Sequence, residues 1–272
     1  MAGSTIGPPM KRTDKLSKLL AAALSLVFLL SGCHREVRKQ TRVGLNNLPP
    51  VILWAWERPE NLEFLDSQRF GVAFLAQTLT LTADDVILNP RHQPLKVSSA
   101  TTVIAVTRVE SQKKTGQKAS LTLAQREKLV TLIYRTRELH NVLAIQVDFD
   151  AAASERDFYR GLLEDLRQKL PANVSLSMTA LASFCIGDRW LGDLPVDEAV
   201  PMIFRMGADD QRIKSFLVEG NDFPEPLCRA SYGIALDEPV AMKFADKRRL
   251  YVFAEHAWTE KDVALLDERL RQ

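Results

Sequence analysis

Two aspartates at the end of an apolar run are the residues of this sequence best placed to do chemistry. The run 142–149 is rich in aliphatic residues and carries Asp148, and Asp150 follows just before a predicted helix start. Side chains alternate between the faces of a strand, so Gln146, Asp148 and Asp150 share one face. The Cβ atoms of Asp148 and Asp150 would lie roughly 7 Å apart, so the two carboxylates should titrate as a pair, with one pKa raised and one lowered unless a cation such as Arg205 intervenes. The pair could contact substrate or share acid–base work, or it could be a buried network that holds the strand in register.

Other charged residues and all four tryptophans fall near the ends of predicted strands. Flat aromatic rings beside carboxylates suit a carbohydrate, whose C–H faces stack on the rings while its hydroxyls need acceptors. In an enzyme, Asp150 or Glu255 could serve as the acid, with Asp148 as its partner. Trp54 and Trp56 could equally be core packing. The predicted substrate-binding residues are Trp54, Trp56, Glu57, Trp190, Arg205, Asp237 and Trp258.

The sequence predicts neither a metal site nor a cofactor. Its four histidines are scattered and form no H-x-x-x-H or H-x-H pair, the spacings at which histidines share a metal. There is no phosphate-cradling glycine loop and no G-x-S-x-G elbow. These absences weaken interpretations as a nucleoside triphosphatase, a dinucleotide-binding enzyme or a serine hydrolase.

Eight strand-like runs, mostly separated by helical patterns, must position these residues. This order indicates a single α/β domain over residues 51–272, a TIM-type (β/α)8 barrel of somewhat irregular form. In such a barrel the outer strand faces pack on helices, and the C-terminal strand ends build the active site. The predicted strands are 51–57, 71–75, 102–109, 142–149, 174–181, 199–206, 231–236 and 250–255.

The connections between these strands depart from a regular barrel. Partial alternation over 78–98 predicts a β-hairpin insertion after strand 2, where a regular barrel has a helix. A short helix is predicted over about 60–68, and the helices after strands two and seven should be missing or very short. Capping residues predict the other helix starts, namely Thr122 with Gln125, Ser154 with Asp157 and Thr259 with Asp262.

The first 32 residues have the organisation of a secretory signal. A basic segment precedes the apolar run 19–30, which is too short to span a bilayer comfortably because a spanning helix needs about 20 apolar residues. The run ends in Leu-Ser-Gly-Cys, which resembles a bacterial lipobox and implies cleavage before Cys33 and lipidation of that residue. An uncleaved anchor or a buried helix is the alternative. Residues 33–50, polar and then turn-rich, would tether the lipid to the domain.

The predicted location is the cell envelope, with the chain anchored through Cys33 and facing the periplasm. His34 stands where many enterobacterial lipoproteins carry the aspartate that retains them at the inner membrane, so the resemblance implies the outer membrane. The leader holds several of the basic residues, and the mature chain has no basic excess, which argues against nucleic acid as a partner. The predicted partners are the membrane, through the lipid anchor, and a polysaccharide or cell-wall glycan.

Cys185 and Cys228 remain once Cys33 is lipidated. An even pair of cysteines in an exported protein indicates a disulfide, whereas two buried free thiols are the alternative. The bridge would join loops on either side of the sixth strand–helix unit. Since the approach to the seventh strand normally comes from the bottom of a barrel, residues 221–229 would have to climb toward the C-terminal rim.

Several runs resemble a bacterial lipoprotein family that is defined by a domain of unknown function. They are ILWAWERPE (52–60), IQVDFDA (145–151) followed by Phe158 and Tyr159, LSMTALASFC (176–185) and VPMIFRMG (200–207). The resemblance covers most of residues 51–258.

More remotely, VDFDA is similar to the fourth-strand motif D-x-x-D-x-D-x-E of chitinase-like (family 18) glycoside hydrolases. Asp148 and Asp150 take the last two aspartate positions, whereas Ile145 replaces the first aspartate and Ala152 replaces the glutamate. Because that glutamate is the proton donor of the family, the resemblance implies a glycosidase-like barrel and an inclination toward sugars, and no chitinase mechanism.

Two functional hypotheses follow from these observations. The first is a lipid-anchored envelope protein whose glycosidase-like barrel binds or hydrolyses a glycan, which would make it a glycoside hydrolase-like enzyme in the second case. The alternative is a non-catalytic envelope lipoprotein that uses the barrel as an interaction scaffold. The scaffold hypothesis predicts that Asp148→Asn and Asp150→Asn reduce stability rather than activity.

Overall fold

The computed structural model describes residues 1, 3, 45–114, 116 and 118–270. The predicted leader, Cys33 and the tether up to residue 44 lie outside this part apart from residues 1 and 3, so the structure does not test them. The chain divides into residues 1–41 and residues 42–272, and the fold described here belongs to the second unit. Among the described residues, no helix has both the length and the apolar character to cross a membrane.

Eight parallel strands close into a barrel, as the sequence predicts. Around the barrel the order is the first, eleventh, tenth, ninth, eighth, seventh, sixth and third strand of the chain, and pairing of the third with the first closes the sheet. The strands of the described residues are β1 Val51–Ala55, β2 Glu60–Leu62, β3 Phe70–Leu81, β4 Val86–Pro90, β5 Leu95–Val97, β6 Val103–Ser111, β7 Val142–Asp148, β8 Ser175–Leu181, β9 Glu198–Met202, β10 Ser231–Ala235 and β11 Arg249–Phe253.

The predicted hairpin insertion is present. β3 runs past the barrel and turns back as β4, which pairs antiparallel with its second half. The short β5 then pairs with β2 in a separate two-stranded sheet. The prediction of a helix over 60–68 is therefore wrong. Glu60 and Leu62 are buried and Asn61 is exposed, the alternation of a strand, and the returning hairpin supplies the pairing partner.

The helices cover the outer faces of the strands. Thr122 and Gln125 form the predicted capping box, and Thr259 with Asp262 does the same at the last helix. Ser154 does not cap its helix, because a 3-10 turn precedes the helix and Glu155 accepts a hydrogen bond from the Ala152 N–H at 2.7 Å instead. The α-helices are α1 Leu123–Arg135, α2 Arg156–Lys169, α3 Ala182–Ile186, α4 Asp210–Val218 and α5 Glu260–Arg269. As predicted, no α-helix follows the second or the seventh barrel strand within this part of the chain.

The barrel interior has an apolar core of its own, which includes Ile52, Trp54 and Leu75 and which Leu45 and Leu48 close at the N-terminal end of the strands. Several of the polar side chains within it pair with one another. The Trp54 indole donates to Gln146 Oε1 at 2.9 Å, and Gln146 Nε2 donates to Ser177 Oγ at 3.0 Å. Nearer the N-terminal end, Glu198 accepts from the Tyr251 hydroxyl and the Arg249 guanidinium. The interior is thus packed and cannot serve as a channel.

The predicted disulfide is confirmed. Cys185, in α3, and Cys228, in the 3-10 turn Pro226–Arg229, have their Cα atoms 5.9 Å apart. The turn comes close to α3, where the Glu225 N–H donates to the Cys185 carbonyl at 3.4 Å. The chain before β10 therefore rises toward the rim, as the bridge requires.

Candidate functional site

Three adjoining cavities lie at the C-terminal ends of the barrel strands. Their volumes are about 260, 360 and 160 Å³, and Arg108, near the end of β6, lines all three. Asp148 lines the first and third, and Asp150 lines the second and third. Together the cavities form one cleft at the end of the fold where barrel enzymes place their active sites.

Four aromatic side chains line the 260 Å³ cavity. They are Trp54, Trp56, Phe204 and Phe253, and we refer to them as the aromatic floor. Phe204 and Phe253 stack with their centroids 5.8 Å apart and their planes 5° from parallel. Trp54 meets Phe204 edge-on at 6.2 Å, and Trp56 meets Phe253 at 6.3 Å. The rings therefore hold one another in place. Both predicted tryptophans of β1 and its end contribute to the cleft.

The segment that carries the two tryptophans is fixed by side chains from elsewhere in the chain. Arg91, at the end of the hairpin insertion, donates to the carbonyls of Ala55, Trp56 and Arg58. The buried Trp258 donates from its indole to the Trp54 carbonyl at 3.0 Å. Trp258 thus supports the cleft from beneath and does not line it. The hairpin insertion thus positions Arg91, which holds the end of β1 and the residues after it in place.

Asp148, the last residue of β7, is half-buried between the aromatic floor and Arg108. Its Oδ1 accepts a hydrogen bond from the Thr179 hydroxyl of β8 at 2.7 Å. Burial raises the pKa of Asp148 to about 6, an increase that the hydrogen bond from Thr179 and the charge of Arg108 oppose and that the charge of Asp150 reinforces. A carboxyl group whose pKa is raised toward neutral pH is a typical component of a functional site.

Asp150 lies beyond the end of β7 and is exposed, because the strand stops at Asp148. Loss of hydration raises the pKa of Asp150, and the charges of Arg108 and Lys113 oppose this increase. Both aspartates therefore have raised pKa values. The expectation of one raised and one lowered value is wrong, because desolvation is the largest influence on each.

Arg205 approaches the cleft from the loop after β9, with a left-handed backbone at φ 51°. Its guanidinium forms ion pairs with Glu255 and, at 3.8 Å, with Asp237, and it lies 5.2 Å from the centroid of the Phe253 ring. Glu255 and Asp237 are exposed and line none of the three cavities. The structure therefore brings Asp148 and Asp150 together and leaves Glu255 as a partner of Arg205.

Two other predicted residues lie away from the cleft. Glu57 is exposed and lines a separate cavity of about 40 Å³ beside the hairpin. Trp190 packs against Phe184 and Tyr159, with centroids 5.4 and 5.9 Å apart, and Arg156 lies over its ring. Trp190 therefore belongs to the packing outside the barrel strands.

The structure adds cleft residues that the sequence did not single out. Arg108 and Thr179 were visible only as members of predicted strands, and Thr179 shares a strand face with Ser175 and Ser177. Phe204 and the other apolar residues that line the cleft were not distinguishable in the sequence from residues of the hydrophobic core. Among the described residues no group of three or more histidine, cysteine, aspartate or glutamate side chains could hold a metal ion.

Residues 99–200 match the model of a Domain of unknown function (DUF3142), which confirms the resemblance to a family defined by such a domain. None of the curated proteins matches the sequence significantly. Solved structures that are similar to this one include the following three. A family GH18 chitinase from Chromobacterium violaceum has 10% identity and a TM-score of 0.49, with 76% of this chain and 78% of that chain covered.

The spore cortex-lytic enzyme SleL of Bacillus cereus has 17% identity and a TM-score of 0.43, with 69% of this chain and 51% of that chain covered. The chitinase domain of the spore coat protein CotE of Clostridium difficile has 12% identity and a TM-score of 0.40, with 74% and 57% covered. TM-scores below 0.5 carry no function from those proteins to this chain. The chain is thus a TIM-type barrel whose residues 99–200, which contain Asp148, Thr179 and Asp150, match DUF3142.

Proposed function

We propose that the cleft binds a glycan. The observation that carries this proposal is the aromatic floor, which lies directly beside Asp148, Arg108 and Arg205 in one cavity. A sugar ring presents apolar C–H faces and polar hydroxyl edges, so it needs a flat aromatic surface with hydrogen-bonding groups at its margin. The cleft continues past Arg108 into two further cavities, which favours a chain of sugars over a single one.

Direct binding measurements test the proposal. The full-length protein in detergent would be screened on cell-wall and exopolysaccharide glycans, and hits measured by calorimetry. Trp56→Ala should weaken binding by roughly tenfold or more, since an aromatic contact contributes about 1 kcal/mol beyond its buried area. Trp190→Ala is the matched control, because this tryptophan packs outside the barrel and should leave affinity unchanged. Absence of binding across the panel would leave the scaffold hypothesis as the better one.

Hydrolysis of the glycan is a second candidate function, and the raised pKa of Asp148 favours it. With a pKa of about 6, Asp148 is mostly ionised at pH 7, and as the pH falls toward 6 a growing fraction carries a proton that a leaving group could accept. Ala152 supplies no acid at the position of the family 18 glutamate, so Asp148 would have to act as the acid, with Asp150 as the second carboxylate.

A reducing-end release assay on any glycan that binds tests this step. Asp148→Asn should abolish release while binding persists, because the amide keeps the shape and the hydrogen bond from Thr179 but cannot donate an acidic proton. Release that continues unchanged in this variant would rule Asp148 out as the acid.

We further propose that the protein is exported, lipidated at Cys33 and held at the outer membrane on the periplasmic side. The support is the order of basic segment, apolar run and Leu-Ser-Gly-Cys in residues 11–33, together with His34. Fractionation should find the protein with outer-membrane markers, and Cys33→Ala should release it from the membrane or block its processing. Recovery chiefly with inner-membrane vesicles would contradict the destination.

A further inference from the structure

A separate cavity lies on the outer wall of the barrel. Its volume is about 690 Å³, larger than each cleft cavity and within the range of about 300–1,000 Å³ that is typical of small-molecule sites. Val252 of β11 lines it, whereas Phe253, the next residue, belongs to the aromatic floor. Because successive side chains of a strand point to opposite faces, the sheet separates this cavity from the cleft.

The cavity exists because the seventh barrel strand has no helix after it. Helices pack over the outer faces of most other barrel strands, but residues 236–248 form no α-helix and cross from the end of β10 to the start of β11 as an irregular segment with turns at 236–237 and 246–247. The segment leaves a space between itself, the two strands and α5. Apolar side chains line this space, among them Leu236, Val240, Met242, Phe244, Leu266 and Leu270.

Charged side chains complete the lining in an uneven way. Lys243 and Arg269 are exposed, and no ion pair is found for either of them in the described part of the chain. One carboxylate, Asp246, also lines the cavity. The site thus combines an apolar interior with an excess of positive charge, which is complementary to a ligand with a long apolar body and an anionic head.

We propose that this outer cavity binds a long-chain fatty acid, with the acyl chain on the apolar wall and the carboxylate held by Lys243 and Arg269. Burial of an acyl chain supplies a favourable free energy with every methylene removed from water. The two basic side chains select an acid over an alcohol or a neutral lipid of the same length. This site is independent of the proposed glycan cleft.

Photo-crosslinking tests the proposal on the full-length protein in nanodiscs of a zwitterionic lipid. The probe is palmitate with a diazirine near the end of its chain, and peptide mapping should place the label in residues 236–248 or 260–270. Unlabelled palmitate should compete. Val240→Trp, which places a bulky side chain in the cavity, should reduce the specific labelling.

Charge reversal tests the head-group contact. Lys243→Glu combined with Arg269→Glu should raise the half-saturating palmitate concentration by roughly tenfold or more, the loss of a charge-assisted hydrogen bond. The same variant should leave labelling by the matching diazirine alcohol unchanged. Lys247→Glu is the control, since this exposed lysine of the same segment does not line the cavity.

Three results would overturn the proposal. The first is a crosslink that maps outside residues 236–248 and 260–270. The second is a charge reversal that weakens labelling by the palmitate probe and by the alcohol probe equally. The third is a protein that sediments as a dimer and that Val240→Trp converts to a monomer. The last result would show that a second copy of the chain covers the cavity. Since glycan binding is measured separately, failure here leaves the proposed function of the cleft standing, and failure of glycan binding leaves this site standing.

Discussion

Asp148→Asn should stabilise the protein at neutral pH, although it removes a side chain from the centre of the cleft. Burial raises the pKa of Asp148 from 3.8 to about 6, so the folded state binds its proton more tightly than the unfolded state does. The stabilising contribution of the protonated carboxyl is fully present below the unfolded pKa and is lost as the pH rises through about 6. At pH 7 the wild type therefore bears the cost of an ionised, partly desolvated carboxylate.

The magnitude follows from the size of the shift. About 2 units at 1.36 kcal/mol each correspond to on the order of 2–3 kcal/mol. The asparagine carries no charge, and its side-chain oxygen can still accept the hydrogen bond from Thr179. For a domain of this size the gain would appear as an increase in Tm of roughly 4–10 °C at pH 7. Below pH 4 both side chains are neutral, so the two proteins should be equally stable there.

Thermal and urea unfolding of both proteins from pH 3.5 to 7.5 provide the test. The difference in free energy of unfolding between variant and wild type reports this group together with its coupling to Asp150, because all other titrating groups are shared. Asp150→Asn is the matched control, and its effect should be smaller because Asp150 is exposed. A difference that does not change with pH, or an Asp148→Asn protein that is less stable at pH 7, would refute the reasoning and support the structural role of Asp148.

Three further changes test other parts of the structure. Thr179→Val removes a hydrogen bond that favours the ionised form, so the pKa of Asp148 should rise beyond about 6 in an NMR titration, and an unchanged pKa would contradict the contact. Arg91→Lys keeps the charge but cannot bridge the carbonyls of Ala55, Trp56 and Arg58, so glycan affinity should fall and the tryptophan fluorescence should shift to the red; unaltered binding would show that the hairpin does not order the aromatic floor. Reduction of the Cys185–Cys228 bridge should lower the free energy of unfolding by about 3–4 kcal/mol, and two alkylatable thiols in the oxidised, folded protein would exclude the bridge.

The barrel could be predicted because its signals are local and repeated. Each barrel strand is a short apolar or alternating run, and the capping residues of α1 and α5 mark helix starts within four positions. The segment 60–68 could not be predicted in this way. Its first residues form a strand only because the hairpin returns β5 beside them, and pairing between distant segments leaves no trace in local periodicity.

The cleft was predictable in part. Asp148 and Asp150 stand out because carboxylates at the end of an apolar run are unusual, and the strand order then places them on the C-terminal rim. Phe204 could not be distinguished from a core residue. It lies two residues after the end of β9, and whether its side chain faces the cleft depends on how the strands pair when the barrel closes. Trp190 lies after a strand end as Trp56 does, but the polarity of its loop does not reveal that α3 and α2 enclose it.

The polar groups inside the barrel differ between its two ends, and the difference supports a functional role for the cleft. At the N-terminal end the buried Glu198 receives hydrogen bonds from both Tyr251 and Arg249, the arrangement expected of a charge kept only for structure. At the C-terminal end Asp148 has one hydrogen bond from Thr179, and its pKa is raised to about 6. The barrel thus satisfies the buried carboxylate of Glu198 with two hydrogen bonds. At the rim, in contrast, it holds Asp148 where ionisation of the carboxyl group is energetically unfavourable. A loss of stability at that position is expected when the carboxyl group acts on a ligand, because functional sites often hold side chains in environments that do not stabilise the fold.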